Sequence, residues 1–440
     1  MVVTHLQRAS TFAYGGVTVD PVGGTLTSRY RLDDVHFTEV ATFDSEVDLA
    51  AEGVAAMAAL YHLLAGLSYY KAGAAHVVEL GDLEVGPATR ALLAAALVDG
   101  LGEFALRNAL DLDDVVLRGG VDAPRVTVPA AITGPLVPFG GGIDSIVSAT
   151  AARREEGAAL FVVGPREARF EAIERPARQT GLPVVRCARA LDAALRESTA
   201  RGYFDGHVPV TAMVSALALV AAVAQRRDAV VMSNERSSSS PTVVVDGRAV
   251  NHQWSKSLAC EELVRAAVGE RLDGGPSYAS ALRDRSELWV AAEFAQHDEY
   301  LDTFMSCNRA FRQDPATRAT TWCGECDKCL FTDLVLAPFV PRARLESVFG
   351  GREPLGDPRR SRDLEVLCGL VQNQKPFECV GDAEECASAL VAAAARADRA
   401  DQPHLASLAA RCVGARPLEA LLQPAGHADA TALHAARGLV

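Results

Sequence analysis

Short apolar runs and helix-periodic segments alternate along the middle of the chain. Ala131–Val137, Ala158–Val163, Pro183–Arg186 and Ala229–Met232 are brief, mostly apolar stretches that predict buried strands. Between and around them, Asp144–Glu156, Glu171–Thr180, Ala190–Thr199 and Val210–Arg226 carry the spacing of helices. Strand–helix alternation of this kind predicts an α/β unit with a parallel sheet covered on both faces. Ligands of such sheets sit beyond the carboxyl ends of the strands. Gly164-Pro165-Arg166 and Ser233-Asn234-Glu235-Arg236-Ser237 follow the second and fourth strands and are expected there. Ahead of this unit, Val17-Thr18-Val19, Thr25–Leu32 and His36–Phe43 predict hairpins, and Leu49–Ala65 a helix. Beyond about Gly350 the pattern is helical, at Leu364–Gln372, Ala383–Arg399 and Ala406–Arg411. The expected organisation is an N-terminal α+β domain over 1–130, an α/β domain over 131–345, and a helical region over 346–440.

Composition narrows the class. The 440 residues are 49% hydrophobic and 22% charged, an ordinary globular balance. A net charge of −13 argues against a broad grip on nucleic acid, which needs a surplus of Lys and Arg along one face. No charged region followed by an apolar core marks Met1–Gly16 as a secretory signal. The longest uncharged run, Val208–Gln225, contains Pro209, Thr211 and Ser215 and reads as a buried helix rather than a membrane span. The expectation is a cytoplasmic protein. The chain uses only four lysines, Lys71, Lys256, Lys328 and Lys375, amid many arginines, so each lysine can be a chemical choice.

Chemistry concentrates in three places. At Val137-Pro138-Phe139-Gly140-Gly141-Gly142-Ile143-Asp144-Ser145, three glycines join a predicted strand to a predicted helix. Bare backbone N–H groups there, with the helix N-terminus behind them, can hold phosphate. The alternative is an ordinary glycine-rich turn. No Gly-Lys-Ser/Thr follows, which excludes a Walker A loop. Next, Val250–Ser257 is a polar run around Trp254 in which His252 and Lys256 are candidate acid/base or anion-binding groups, unless the run is simply a solvated loop. Third, Cys323, Cys326 and Cys329 form C-x2-C-x2-C, with Cys307 sixteen residues upstream. This spacing reads as metal binding, with tetrahedral zinc ahead of an iron–sulfur cluster, or else as free thiols in a tight turn. Tyr69 and Tyr70, past the first helix, can contact ligand or simply pack.

The glycine loop resembles the Ser-Gly-Gly-x-Asp-Ser pyrophosphate loop of the N-type ATP pyrophosphatases, a superfamily with a HUP-like parallel-sheet core. Gly141, Gly142, Asp144 and Ser145 match in place, while Gly140 stands where serine is usual. A loop of this type together with four cysteines also resembles 7-cyano-7-deazaguanine synthase. A wider resemblance runs through Gly66–Lys71, Gly100–Phe104, Gly141–Ser145, Ser233–Ser237, Asn251–Ser257, Ser306–Phe311 and Trp322–Cys329. In this order these segments are similar to the MurL family of epimerases. That family inverts the terminal L-glutamate of UDP-N-acetyl-α-D-muramoyl-L-alanyl-L-glutamate for peptidoglycan, using ATP and Mg²⁺ and releasing AMP and PPi.

The candidate phosphate contacts are Gly140, Gly141, Gly142, Asp144, Ser145, Gly164, Asn234 and Arg236. Acid/base candidates are His252, Lys256, Glu235, Tyr70 and Cys260. The resemblance implies ATP and Mg²⁺ as cofactors and a UDP-muropeptide as small-molecule partner, and the cysteine spacing adds a structural Zn²⁺. The competing readings are a deazaguanine-type synthase that forms a new C–N bond and a binding module without turnover.

Overall fold

The computed structural model describes residues 7–425, apart from 45–46, 199, 313 and 372–374. Strands β1 (Thr11–Asp20), β2 (Thr25–Leu32) and β3 (Val35–Phe43) form an antiparallel meander. In its first turn the Asp20 carboxylate accepts the Val22 and Gly23 N–H groups, each at 3.0 Å. Strands β4 (Val77–Glu79) and β5 (Val116–Arg118) add in parallel beside β1. The two-residue β6 (Val126–Thr127) lies outside this sheet.

Then come β7 (Leu136–Pro138), β8 (Ala159–Gly164), β9 (Val184–Ala190) and β10 (Ala229–Met232), and a small hairpin of β11 (Val243–Val245) and β12 (Arg248–Val250). β13 (Leu272–Asp273) pairs with β6, and β14 (Ser277–Ser280) closes the list of strands. The main sheet has ten strands in the order β14-β10-β7-β8-β9-β3-β2-β1-β4-β5. Only β9–β3, β3–β2 and β2–β1 are antiparallel, so the protein is a mixed α/β fold built on a mostly parallel sheet.

Period-two alternation assigns the two faces of the parallel strands. Leu136, Ala159 and Phe161 belong to a core that also holds the helices Val54–Ala65 and Val210–Ala224. Val137, Leu160 and Val162 belong to a second core with Ile143–Ala152, Glu287–Phe294, Asp327–Leu336 and the C-terminal helices. The Val210–Ala224 helix is buried between sheet and helix as its composition predicts. Among the described residues no helix is long and apolar enough to cross a membrane.

Several elements depart from their sequence patterns. The expected helix from Leu49 starts only at Val54, after Gly53 at φ 89°. β9 runs on to Ala190 because Cys187–Ala190 pair with Phe43–Val40 of β3. That pairing shortens the expected helix Ala190–Thr199 to Ala193–Arg196, capped by the Asp192 carboxylate; Thr199 lies outside the described residues. The stretch Leu364–Gln372 is helical only as Ser361–Leu367, and Gln372 also lies outside them. β14, Ser-Tyr-Ala-Ser, carries no β-branched residue and gave no strand signal; its pairing with β10 makes it a strand.

A candidate active site at the carboxyl edge of the parallel strands

The glycine loop takes its shape from close packing. Gly141 has φ +78°, and a Cβ on it would fall 2.3 Å from the Ala172 carbonyl oxygen, so only glycine fits. Gly142 is extended at φ −83° and ψ 172° and precedes the helix Ile143–Ala152. Gly140 is solvent-exposed, and a Cβ there would meet nothing within 4 Å. The loop therefore presents backbone N–H groups and the positive end of a ten-residue helix to one side. Ser145 does not add a free donor, because its hydroxyl donates to the Gly142 carbonyl at 3.0 Å.

That side opens on a cavity of about 390 Å³, within the usual range of roughly 300–1,000 Å³ for a small-molecule site. Phe139, Phe161, Val163, Ile173 and Met232 form its apolar wall. Asp144, Asn234, Lys256, Glu287, Lys328, Glu378 and Cys379 are among its polar groups. The chain thus brings the loop, the segment after β10 and the polar run around Trp254 to one place.

Three carboxylates crowd there. Oxygens of Asp144, Glu235 and Glu287 lie within 4.8 Å of one another. Burial first, and Glu235 second, push the Asp144 carboxyl up to about 6. Burial, then Asp144 and Glu235, hold Glu287 well above the carboxylate range. Asp144 Oδ1 is buried without a hydrogen-bond partner. An orphaned oxygen among mutually repelling acids is the donor set that suits a hard divalent cation such as Mg²⁺. Nearby, burial disfavours the Lys256 ammonium, but Cys379, Glu235 and Asp144 outweigh it and keep the lysine charged.

The cysteines also converge. The four sulfurs of Cys307, Cys323, Cys326 and Cys329 lie within 4.8 Å of one another. Cys323–Cys329 and Cys326–Cys329 are 3.6 and 3.4 Å apart, close to the ~3.8 Å edge of a tetrahedron with Zn–S bonds of about 2.3 Å. Four thiols fit structural zinc and leave no position for water. Ser306 and Asn308 flank Cys307, Lys328 precedes Cys329, and all three line the cavity. The cysteine cluster therefore ties two cavity walls together.

Other expected residues lie elsewhere. Tyr70 is fully buried in the N-terminal core, its hydroxyl donating to the Ala75 carbonyl at 3.0 Å, so it does not reach the cavity. Tyr69 is buried likewise and accepts the Asp192 N–H at 3.2 Å. Gly164 is still paired with Ala188 of β9 and borders a separate crevice beside Arg169 and Arg186. Arg236 turns away to Glu385 at 3.4 Å. Cys260 is buried, its thiol pushed up to about 12 by that burial.

His252 does not line the cavity but stands behind it. Its Nδ1 meets Glu103 Oε2, and Cys379 is among the groups that raise its pKa. Glu103, His207, Glu287 and Cys379 were missed from the sequence. Glu103 sits in the Gly100–Phe104 motif and Lys328 inside the cysteine motif, which were the available signals. Cys379 gave none.

The chain matches the MurL N-terminal domain over residues 3–281 and the MurL C-terminal domain over residues 303–420. It is 38% identical over 417 residues to the UDP-N-acetyl-alpha-D-muramoyl-L-alanyl-L-glutamate epimerase of Salinispora tropica, covering 92% of this chain and 89% of that protein. It is 37% identical to the protein of that name from a Micromonospora species, covering 92% and 91%. The Xanthomonas oryzae pv. oryzae epimerase is 36% identical over 89% of this chain and 87% of its own. No solved structure matches the chain at a significant level.

Proposed function

The chain belongs to the MurL family of epimerases, and from that premise we propose that it inverts the terminal L-glutamate of UDP-N-acetyl-α-D-muramoyl-L-alanyl-L-glutamate at the expense of ATP, by way of an acyl adenylate. The observation that carries the ATP step is the glycine loop with Gly141 at φ +78° opening on a cavity lined by Asp144 and Glu287, which cluster with Glu235. The same loop, at the end of β7 in a parallel sheet, supports a pyrophosphatase-type core with a HUP-like arrangement.

An α-proton beside a carboxylate is barely acidic, because the carbanion would put two negative charges together. Attack of the substrate carboxylate on the α-phosphorus of ATP forms a mixed anhydride and expels PPi. The carboxylate charge is then gone, and the α-proton is within reach of a side-chain base. N–H groups of Gly140–Gly142 and the helix end hold the leaving phosphates. Asp144, Glu235 and Glu287 are placed to hold Mg²⁺, which when bound screens those phosphates. Lys256 is the charged donor on the wall, placed to return a proton to the enolate. Water then releases AMP and the inverted residue. Incubating protein, ATP, Mg²⁺ and the UDP-muropeptide should give D-glutamate on hydrolysis together with AMP and PPi; ADP and Pi as products would overturn the adenylate.

Two smaller tests follow from the loop and the cysteines. Gly140→Ser restores a hydroxyl at an open position, so stability should change by less than about 0.5 kcal/mol. The KM for ATP should stay level or fall, and a tenfold rise would contradict the phosphate role of this loop. Cys326→Ser should reduce bound zinc from one per chain to a small fraction and lower the thermal midpoint. Elemental analysis of wild-type protein, purified without chelator, that finds no metal in a fully active sample would refute the zinc assignment.

A further inference from the structure

The proposed reaction needs a base at the α-carbon. Of the carboxylates that line the cavity, Asp144 and Glu287 are gathered where a cation would occupy them, and Glu378 is engaged by Asn308 Nδ2 at 2.7 Å. Cys379 is a further candidate on the wall. It is half-buried and lines the cavity with Lys256 and Lys328. The segment around it is fixed from three directions. The Lys328 ammonium donates to the Cys379 carbonyl, Gln253 Nε2 donates to the Val380 carbonyl at 3.1 Å, and Asn308 Nδ2 donates to Glu378 at 2.7 Å.

Behind the thiol stands a relay. His252 meets Glu103 on one side and interacts electrostatically with Cys379 on the other. Its backbone N–H donates to Thr242 Oγ1 at 3.0 Å, and Arg107 Nε donates to the second oxygen of Glu103 at 2.6 Å. The Glu103 side chain is 5% exposed, so its charge acts through little water. We infer that Cys379 is the base that removes the substrate α-proton, and that His252 and Glu103 are positioning residues that hold its thiolate. This rests on the adenylate reading above.

The electrostatics agree. Burial raises the Cys379 thiol, but Lys256, His252 and Lys328 more than reverse it, to about 7. Burial disfavours the His252 cation, yet Cys379 and Glu103 lift it to about 9. Between those values thiolate and imidazolium coexist. The neighbouring His207, its ring 4.3 Å from that of His252, is held neutral, pushed down to about 4 by burial first and by His252 second. Cys260, buried without comparable cations, is pushed the other way. In the step itself the Cα–H bond breaks and S–H forms. The electron pair passes into the enolate of the acyl adenylate, where a proton from a second group re-forms C–H. Cys379 then returns its proton to solvent.

The test compares wild type with Cys379→Ser and Cys379→Ala, measuring AMP formed, glutamate inverted and deuterium gained at Cα in D₂O. Inversion and exchange should fall about 10³-fold, and the ratio of AMP formed to glutamate inverted should rise at least about 100-fold. Inversion within tenfold of wild type, or AMP and inversion falling together, overturns the inference. Wild type that makes no AMP would instead sink the adenylate reading. Should the serine variant fail to fold, alkylation of wild type by iodoacetamide decides. Inactivation should track modification of Cys379 and be slowed by substrate, and full activity with Cys379 alkylated overturns the assignment. Glu103→Gln removes the anion that favours the imidazolium and weakens its hold on the thiolate. The rise of inversion rate with pH should then move to higher pH, which a merely structural glutamate would not cause. An unmoved profile rejects the relay.

Discussion

Asp144→Asn should leave the chain folded and reduce AMP and PPi formation by about 10³-fold or more, the scale expected when a charge that organises phosphoryl chemistry is removed. The same substitution should stabilise the metal-free protein. Asp144 shares a buried site with Glu235 and Glu287, and its folded pKa of about 6 stands above the ordinary 3.8. Ionising it therefore disfavours the fold. That cost is absent below about pH 4 and complete once pH has risen through about 6, on the order of 1–3 kcal/mol at neutrality. In chelator, the wild-type thermal midpoint should fall across this window while that of the asparagine variant falls less. Mg²⁺ should restore the wild type and do little for the variant. A variant that cleaves ATP at the wild-type rate, or shows no gain of stability in chelator, would disprove this account of the cluster.

The second large effect is isotopic. In D₂O, essentially every D-glutamate residue formed should carry deuterium at Cα, because a solvent-exchanged group returns the proton. Without ATP, or with an analogue that cannot be cut between the α- and β-phosphates, exchange should vanish. The reason is electrostatic: until the carboxylate is adenylated, the carbanion would be a dianion, beyond the reach of any side-chain base. Mass spectrometry of the hydrolysed product reads both outcomes. Inversion at full rate without ATP, or product retaining only protium, would eliminate the adenylate–enolate route.

The parts of the site that could be read from the sequence are those whose neighbours in space are also neighbours along the chain. Three consecutive glycines before a helix, and three cysteines within seven residues, carry their geometry locally. Asn234 and Glu235 followed from the rule that loops after parallel strands face the ligand, Asp144 from the glycine loop and Lys256 from the polar run around Trp254; Asp144, Asn234 and Lys256 line the cavity, and Glu235 clusters with Asp144. The same rule misplaced Gly164 and Arg236. β8 remains paired as far as Gly164, and the buried Glu385 of a C-terminal helix draws Arg236 aside. Glu287 and Cys379 were hidden because they arrive through tertiary packing. Glu287 opens a helix after the unsignalled β14, and Cys379 lies in a connection with no periodicity. Glu103 meets His252 across 149 residues, a separation that no local pattern encodes.

The seam between β3 and β9 decides how this chain can be dissected. Along it, Val40–Phe43 pair with Ala190–Cys187, and beside it the Glu39 carboxylate takes both Arg189 Nε and Nη2, at 2.7 and 2.9 Å. Glu39 is fully buried. Cutting the chain near residue 130 would leave β9 as a raw sheet edge and strand a guanidinium and a carboxylate on separate fragments. Orphaning a buried charge in this way costs about 3–5 kcal/mol, and the open edge invites intermolecular pairing. Separately expressed halves should therefore aggregate, whereas halves made together have a reason to find each other. Protein engineering on this scaffold has to treat the first 130 residues as part of the catalytic sheet rather than as a removable appendage.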